Sequence, residues 1–178
     1  DVPDPIVRSA WERRVNSPQS SAAGRLFDAA SAIILGVGET SFEGQGPMWL
    51  EAIARDPAAF PRLELRATVE GRLELDWSPL VDWLLQAPPT SAAGRADCAG
   101  AVHASLADGI VQMADRLRAL SGSSVVGLTG GVFQNRRLTE AALAGLSARG
   151  FDVLLPVQLP CNDGGLSYGQ VADFIGRK

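Results

Sequence analysis

The residue types best suited to chemistry gather in short words along the chain: GRLFDA at 24–29, FEGQG at 42–46, TGGVFQN at 129–135 and CNDGG at 161–165. Gly130 and Gly131 stand where an apolar run, SSVVGL, gives way to a helical pattern, RRLTEAALAGL. At the carboxyl end of a strand, two glycines let a ligand approach the backbone, and the following helix aims its positive end at the same place. Their N–H groups can cradle phosphate, and Asn135 can offer an amide to a ribose or phosphate oxygen. The same residues also read as a tight turn followed by an Asn N-cap, and a short glycine motif does not separate the two. No Gly-Lys-Ser/Thr follows, so this is not a Walker loop.

Asp28 is the next candidate. On a helix it projects away from Leu26, Ala30 and Ile33 and shares a face with Gly24 and Ser31, a small-residue surface with room for a vicinal diol. The alternative is an acidic residue on a solvated face. Glu43, Gly44, Gln45 and Gly46 either bring polar groups and open backbone to a site or form a flexible link. Asp163 is either a hard anionic metal ligand or the cap of the last helix. Cys161 fits a small buried residue better than a nucleophile, and His103, the single histidine, fits a packed or partly exposed structural place inside a long helix. One histidine and two distant cysteines, Cys98 and Cys161, form neither a disulfide framework nor a metal spacing.

The elements that must position these residues follow from periodicity. SSAAGRLFDAASAIILG reads as a helix with a Ser-rich start and Gly36 near its end. PMWLEAIARD reads as a shorter helix with Pro47 in its first position, ended by Asp56-Pro57. LELRATV and RLELDW flank Glu70-Gly71 as a hairpin, and SPLVDWLLQA makes a turn or two of helix. A long helix runs from about Ala92 to Leu120. Strand SSVVGLT, helix, strand FDVLLP and final helix LSYGQVADFIG then alternate, which implies parallel strand neighbours in an α/β fold. With 178 residues, 46% hydrophobic and 20% charged, the chain is expected to form a single domain, 1–178, with a polar lead-in over 1–19.

A net charge of −4 offers no basic footprint, which weighs against a nucleic-acid partner. The apolar runs are too short for a membrane span, and the first residues lack a secretory pattern. A soluble, reducing, cytoplasmic setting is expected. Without an initiator Met, the chain reads as part of something longer.

In combination, SSAAGRLFDAASAIILG, SFEGQGPMWLEAIA, LTGGVFQNRRLTE, LSARGFDVLLP and LPCNDGGLSYGQ resemble the carboxy-terminal part of the HypF family, carbamoyltransferases that mature nickel-iron hydrogenases. The resemblance runs from about Ser20 to the end and is weakest in the hairpin. It implies an actin- and sugar-kinase-like (ribonuclease-H-like) lobe, a mixed sheet with flanking helices and an inserted hairpin, similar to the tRNA threonylcarbamoylation enzymes. It also implies a reaction in which ATP and carbamoyl phosphate give carbamoyl-adenylate, whose carbamoyl group moves to the terminal cysteine of a HypE-like maturation protein. By resemblance, Asp28 holds the ribose and Gly44 or Gly46, beside Glu43, lines the same pocket. Gly130, Gly131 and Asn135 meet the adenylate, and Asp163 is one ligand of a divalent iron or zinc ion. The family's HxxxH metal motif does not occur here, so the remaining ligands are expected from a preceding part of the same protein. Competing expectations are an O-carbamoyltransferase or tRNA-modifying enzyme of the same fold, and a non-catalytic nucleotide-binding or docking domain.

Overall fold

The computed structural model describes residues 4–177. Helix α1, Pro5–Glu12, opens the chain, capped by Asp4, whose carboxylate accepts from the Ile6 N–H at 2.8 Å, with Pro5 in the first turn. It falls inside the segment read as a lead-in, where its two turns were too short to show a period. Helix α2, Ala23–Leu35, ends at Gly36, whose φ of +69° places it in the left-handed region that glycine adopts without strain. Its start differs from expectation: Ala22 occupies the cap position with no side-chain bond, while Ser20 Oγ accepts from the Ala22 N–H.

Helix α3 spans Gln45–Ile53, so it begins two residues before Pro47 and ends short of Asp56-Pro57. The earlier start is possible because a proline in the first turn removes no intrahelical bond. Strands β1, Glu64–Ala67, and β2, Leu73–Asp76, pair antiparallel with Leu65 opposite Leu75, and Gly71 at φ +78° turns the hairpin. Helix α4, Ser78–Gln86, follows.

Helix α5, Ala92–Ser121, is the spine. Its middle is buried on nearly every side, as expected for a helix packed by α2, α3, α4, α6 and the hairpin. Small residues permit this crowding. A Cβ on Gly100 would lie 1.8 Å from the Arg55 carbonyl oxygen, and one on Gly109 would lie 3.0 Å from Leu75 Cδ1. Ser105 Oγ and Gln112 Nε2 donate to the carbonyls of Pro61 and Leu63, which ties the hairpin's approach to the spine.

Strand β3, Val125–Gly127, helix α6, Arg136–Ala148, and strand β4, Asp152–Leu154, form a βαβ unit with parallel pairing, Val126 opposite Val153. The antiparallel and parallel pairings therefore lie in two separate two-stranded ladders within an α/β arrangement of flanking helices. The core joins Phe27, Ile34, Leu50, Leu63, Leu80, Leu84, Val102, Leu138 and Leu146 into one cluster. Outside it, helix α7, Leu166–Gly176, buries none of its residues, and Val125 and Leu154 leave one face of the parallel ladder open. No helix among the described residues is long and apolar enough to cross a membrane.

Candidate functional site

Helix α2 and the loop before α3 border a shallow, solvent-open cleft of about 520 Å³, lined in part by Asp28, Ser31, Val37, Thr40, Glu43 and Gly44. Asp28 enters it because the buried stripe of α2 is Phe27, Ala30, Ser31 and Ile34, leaving the aspartate side chain 35% exposed beside that stripe. Ser31, expected on an open small-residue face, is instead buried. Its hydroxyl donates to the Asp28 carbonyl at 2.8 Å, and Gly46 of α3 packs directly on it. Gly44, at φ +83°, makes the turn into α3 and borders the cleft, whereas Gly46 lies behind the wall as the contact between the two helices.

Arg25 is the cation of this cleft. Its Nη2 stands 3.2 Å from Asp28 Oδ2 and 3.0 Å from Glu43 Oε1, so one guanidinium faces two carboxylates. The pairs are exposed and of small energetic weight, so a hydroxyl-rich or anionic ligand can replace either at little cost. Arg25 was missed in the sequence, although its spacing of three from Asp28 is that of helical neighbours. Gln45 points elsewhere, its Oε1 accepting from the Ser41 N–H at 2.7 Å.

The second group is the glycine loop. Gly130, at φ +108°, donates its N–H to the Cys161 carbonyl at 2.6 Å, which joins TGGVFQN to CNDGG directly and removes one donor from the expected cradle. A 3-10 turn over Gly131–Gln134 follows, and the backbone hydrogen bonds of the described residues leave the N–H groups of Gly131 and Val132 uncommitted. Asn135 is 9% exposed, and both polar atoms of its side chain are bonded within the protein. Its Oδ1 caps α6 by accepting from the Leu138 N–H at 2.9 Å, and its Nδ2 lies 2.9 Å from His103 Nε2. The capping alternative thus describes its side chain. The first turn of α6 is also occupied: Glu51 of α3 places Oε1 2.7 Å from Arg136 N and 3.3 Å from Arg137 N. A carboxylate from the chain itself holds the positive helix end expected to face a phosphate. Glu51 lies 85 residues from its partner, and no local pattern could have revealed it.

Asp163 begins the 3-10 turn Asp163–Gly165 and is exposed. It does not cap α7, whose cap position is Gly165 with no side-chain bond; the 3-10 turn itself is capped by Asn162, whose Oδ1 accepts from Gly164 N at 3.0 Å. Gly165 is needed where it stands, since a Cβ there would lie 2.8 Å from the Pro160 carbonyl oxygen. Among the described residues no three His, Cys, Asp or Glu side chains come together, so the residues present do not make a metal site. Cys161 is part-buried, and Cys98 is buried, which pushes its thiol above the usual range.

The expected residues therefore fall into two groups. Asp28, Glu43 and Gly44 share the cleft; Gly130, Gly131, Asn135 and Asp163 cluster around the Gly130–Cys161 bond and do not line it. Packing of α2 on the 131–134 turn joins the groups, as does the contact of Phe27, adjacent to Asp28, with the His103 ring.

The chain as a whole has matches among known proteins. The family described as "Carbamoyltransferase, Kae1-like Domain, second subdomain" matches residues 3–170. The chain belongs to this family. Among its HypF relatives, "Carbamoyltransferase HypF" of Rhodobacter capsulatus is 39% identical over 172 residues, covering 95% of this chain and 21% of that protein. "Carbamoyltransferase HypF homolog" of Cupriavidus necator is 37% identical over 169 residues, covering 92% of this chain and 43% of that protein. A solved structure of full-length HypF "in the phosphate- and nucleotide-bound form" superposes with a TM-score of 0.84 at 29% identity, covering 96% of this chain and 22% of that one. The chain thus spans from about a fifth to under a half of the length of these HypF proteins.

Proposed function

We propose that this chain is the nucleotide-binding lobe of a HypF-type carbamoyltransferase. In the reaction, carbamoyl phosphate and ATP supply carbamoyl-adenylate, and the terminal cysteine thiolate of a HypE-like maturation protein attacks its carbamoyl carbon. The carbon–sulfur bond forms as the bond from that carbon to the AMP phosphate oxygen breaks, and AMP leaves. The observation that carries the reading is the cleft holding Asp28, Glu43 and Gly44 in a family one of whose members has been solved with nucleotide bound.

In this reading the Asp28 carboxylate accepts hydrogen bonds from the ribose diol, displacing one arm of Arg25, which then faces the phosphate. Gly44 gives the nucleotide close access to backbone, and the Gly131 and Val132 amides meet negative charge developing on the departing AMP. The lobe supplies orientation and charge stabilisation, and the attacking group belongs to the partner. Asp163 offers one carboxylate to a divalent metal whose other ligands come from elsewhere in the protein. The open apolar faces of α7 and of the parallel ladder suit contact with the preceding part of a HypF polypeptide.

Calorimetric titration with ATP tests the reading. The wild-type chain is expected to bind, and Asp28→Ala to bind at least about tenfold more weakly, since loss of a hydrogen-bonded charged group costs about 1.5–3 kcal/mol. Equal affinity in the two proteins would remove Asp28 from the site.

A further inference from the structure

His103 and Asn135 form a buried polar pair that no part of the transfer chemistry uses. His103 is 1% exposed at the centre of α5. Its Nδ1 lies 2.7 Å from the Ala99 carbonyl oxygen, and its Nε2 lies 2.9 Å from Asn135 Nδ2. A carbonyl only accepts, so Nδ1 carries the proton and Nε2 is the lone-pair nitrogen that accepts from the asparagine amide. That orientation turns Asn135 Oδ1 toward the Leu138 N–H, the capping bond of α6. One tautomer, one amide orientation and one cap are therefore mutually consistent: the ring Nδ1–H, one Asn135 amide N–H and the Leu138 N–H each meet an acceptor.

The same asparagine is the last link of the glycine loop. Its N–H donates to the Val132 carbonyl at 3.1 Å, and its own carbonyl accepts from the Thr139 N–H and hydroxyl. We propose that His103 is a positioning residue: as the neutral Nδ1–H tautomer it fixes the Asn135 amide, and through it the Gly131–Gln134 turn and the start of α6. A proton on Nε2 would set donor against donor. The amide would have to rotate to present Oδ1 to the ring, and Leu138 would lose its cap. Burial disfavours that proton, assisted by Arg137 of α6; the Ala99 carbonyl, Glu51 of α3 and the Asn135 side chain oppose the effect. From α2 the ring meets the uncharged Phe27. The inference rests on the nucleotide reading only for its consequence on affinity.

The single histidine makes nitrogen-detected NMR of the full chain unambiguous. The Nδ1–H pattern is expected near pH 8, and an Nε2–H pattern would overturn the proposal. His103→Gln keeps an acceptor for Asn135 Nδ2, whereas His103→Leu keeps apolar volume and has none. Leu138 amide exchange is expected to be about tenfold faster in His103→Leu and near wild type in His103→Gln, the loss being that of one buried hydrogen bond. A role in packing alone predicts the reverse order, and that result sinks the idea. Should His103→Leu not fold, the wild-type chain decides: Leu138 protection must fall in step with titration of the ring, and protection that stays flat through it overturns the proposal. In the ATP titration, His103→Leu is expected to bind more weakly and His103→Gln to recover. If the wild-type chain binds no ATP, the nucleotide reading fails while amide exchange still judges His103.

Discussion

Replacing Gly46 by Ala tests how the cleft wall is built. A Cβ at Gly46 would stand 2.2 Å from Ser31 Oγ and 2.9 Å from Ser31 Cβ. The hydroxyl can rotate only by giving up its bond to the Asp28 carbonyl, and the carbon–carbon clash remains after it has done so. Restoring ordinary contact at about 3.5–4.0 Å requires α2 and α3 to part by roughly 0.6–1.1 Å. Overpacking of this kind costs about 1–3 kcal/mol. For a chain of this length that corresponds to a Tm lower by roughly 2–12 °C in calorimetry or thermal circular dichroism. Ser31→Gly removes both clashing atoms, so the double variant Gly46→Ala with Ser31→Gly should lie well above the sum of the single losses. Gly44→Ala is the control. It meets open space but holds φ at +83°, a strain of about 1–2 kcal/mol that Ser31→Gly cannot relieve. An unchanged Tm for Gly46→Ala, or strict additivity with Ser31→Gly, would refute this account of the wall.

Two other outcomes follow from the network around α6. Glu51→Ala strips the carboxylate from the Arg136 and Arg137 N–H groups and should lower stability by about 0.5–2 kcal/mol, with Glu51→Gln losing less because it keeps an acceptor; equal, negligible losses in urea unfolding would contradict the contact. Burial holds the folded-state pKa of His103 below its ordinary value of about 6.5. Stability is then at full strength above that value and declines as pH falls from it toward the folded pKa, because the unfolded chain takes up a proton that the folded chain refuses. The slope is at most about 1.4 kcal/mol per pH unit. His103→Gln should abolish it, and a flat wild-type profile from pH 7 to 5 would contradict the buried neutral imidazole. Asp76, held low by its hydrogen bonds to Ser78, and Asp97, held low by Arg55, weaken the fold only as pH falls below about 4, outside that window.

Strong local signals were legible before any coordinates. The 30-residue spine, the Glu70-Gly71 hairpin and the strand–helix–strand order each repeat a period or carry a turn residue, and all appear as read. Asp28, Glu43 and Gly44, singled out by residue type, line one cleft. Helix α1 was not legible, because its cap and two turns resemble any polar, proline-bearing leader. On α2 the expected Ala30 is buried and Leu26 and Ile33 pack at the edge of the core, whereas the burial of Ser31 was not legible, since the residue that covers it, Gly46, comes from another helix. Asn135 shows the limit most clearly. Its type fitted both a ligand contact and a cap, and only the positions of His103 and Leu138 show which atoms are engaged. Glu51 at the start of α6 had no counterpart in any local motif, being a contact between helices far apart in the chain.

In the proposed function the Asp28 cleft and the Gly130–Gly131 loop serve one nucleotide. Mapping backbone amide shifts of the labelled chain during an ATP titration tests it most directly. Saturable shifts are expected at Asp28, Glu43 and Gly44 together with Gly131 and Val132, all with one dissociation constant. Shifts confined to one group, or shared by both with different constants, would contradict it.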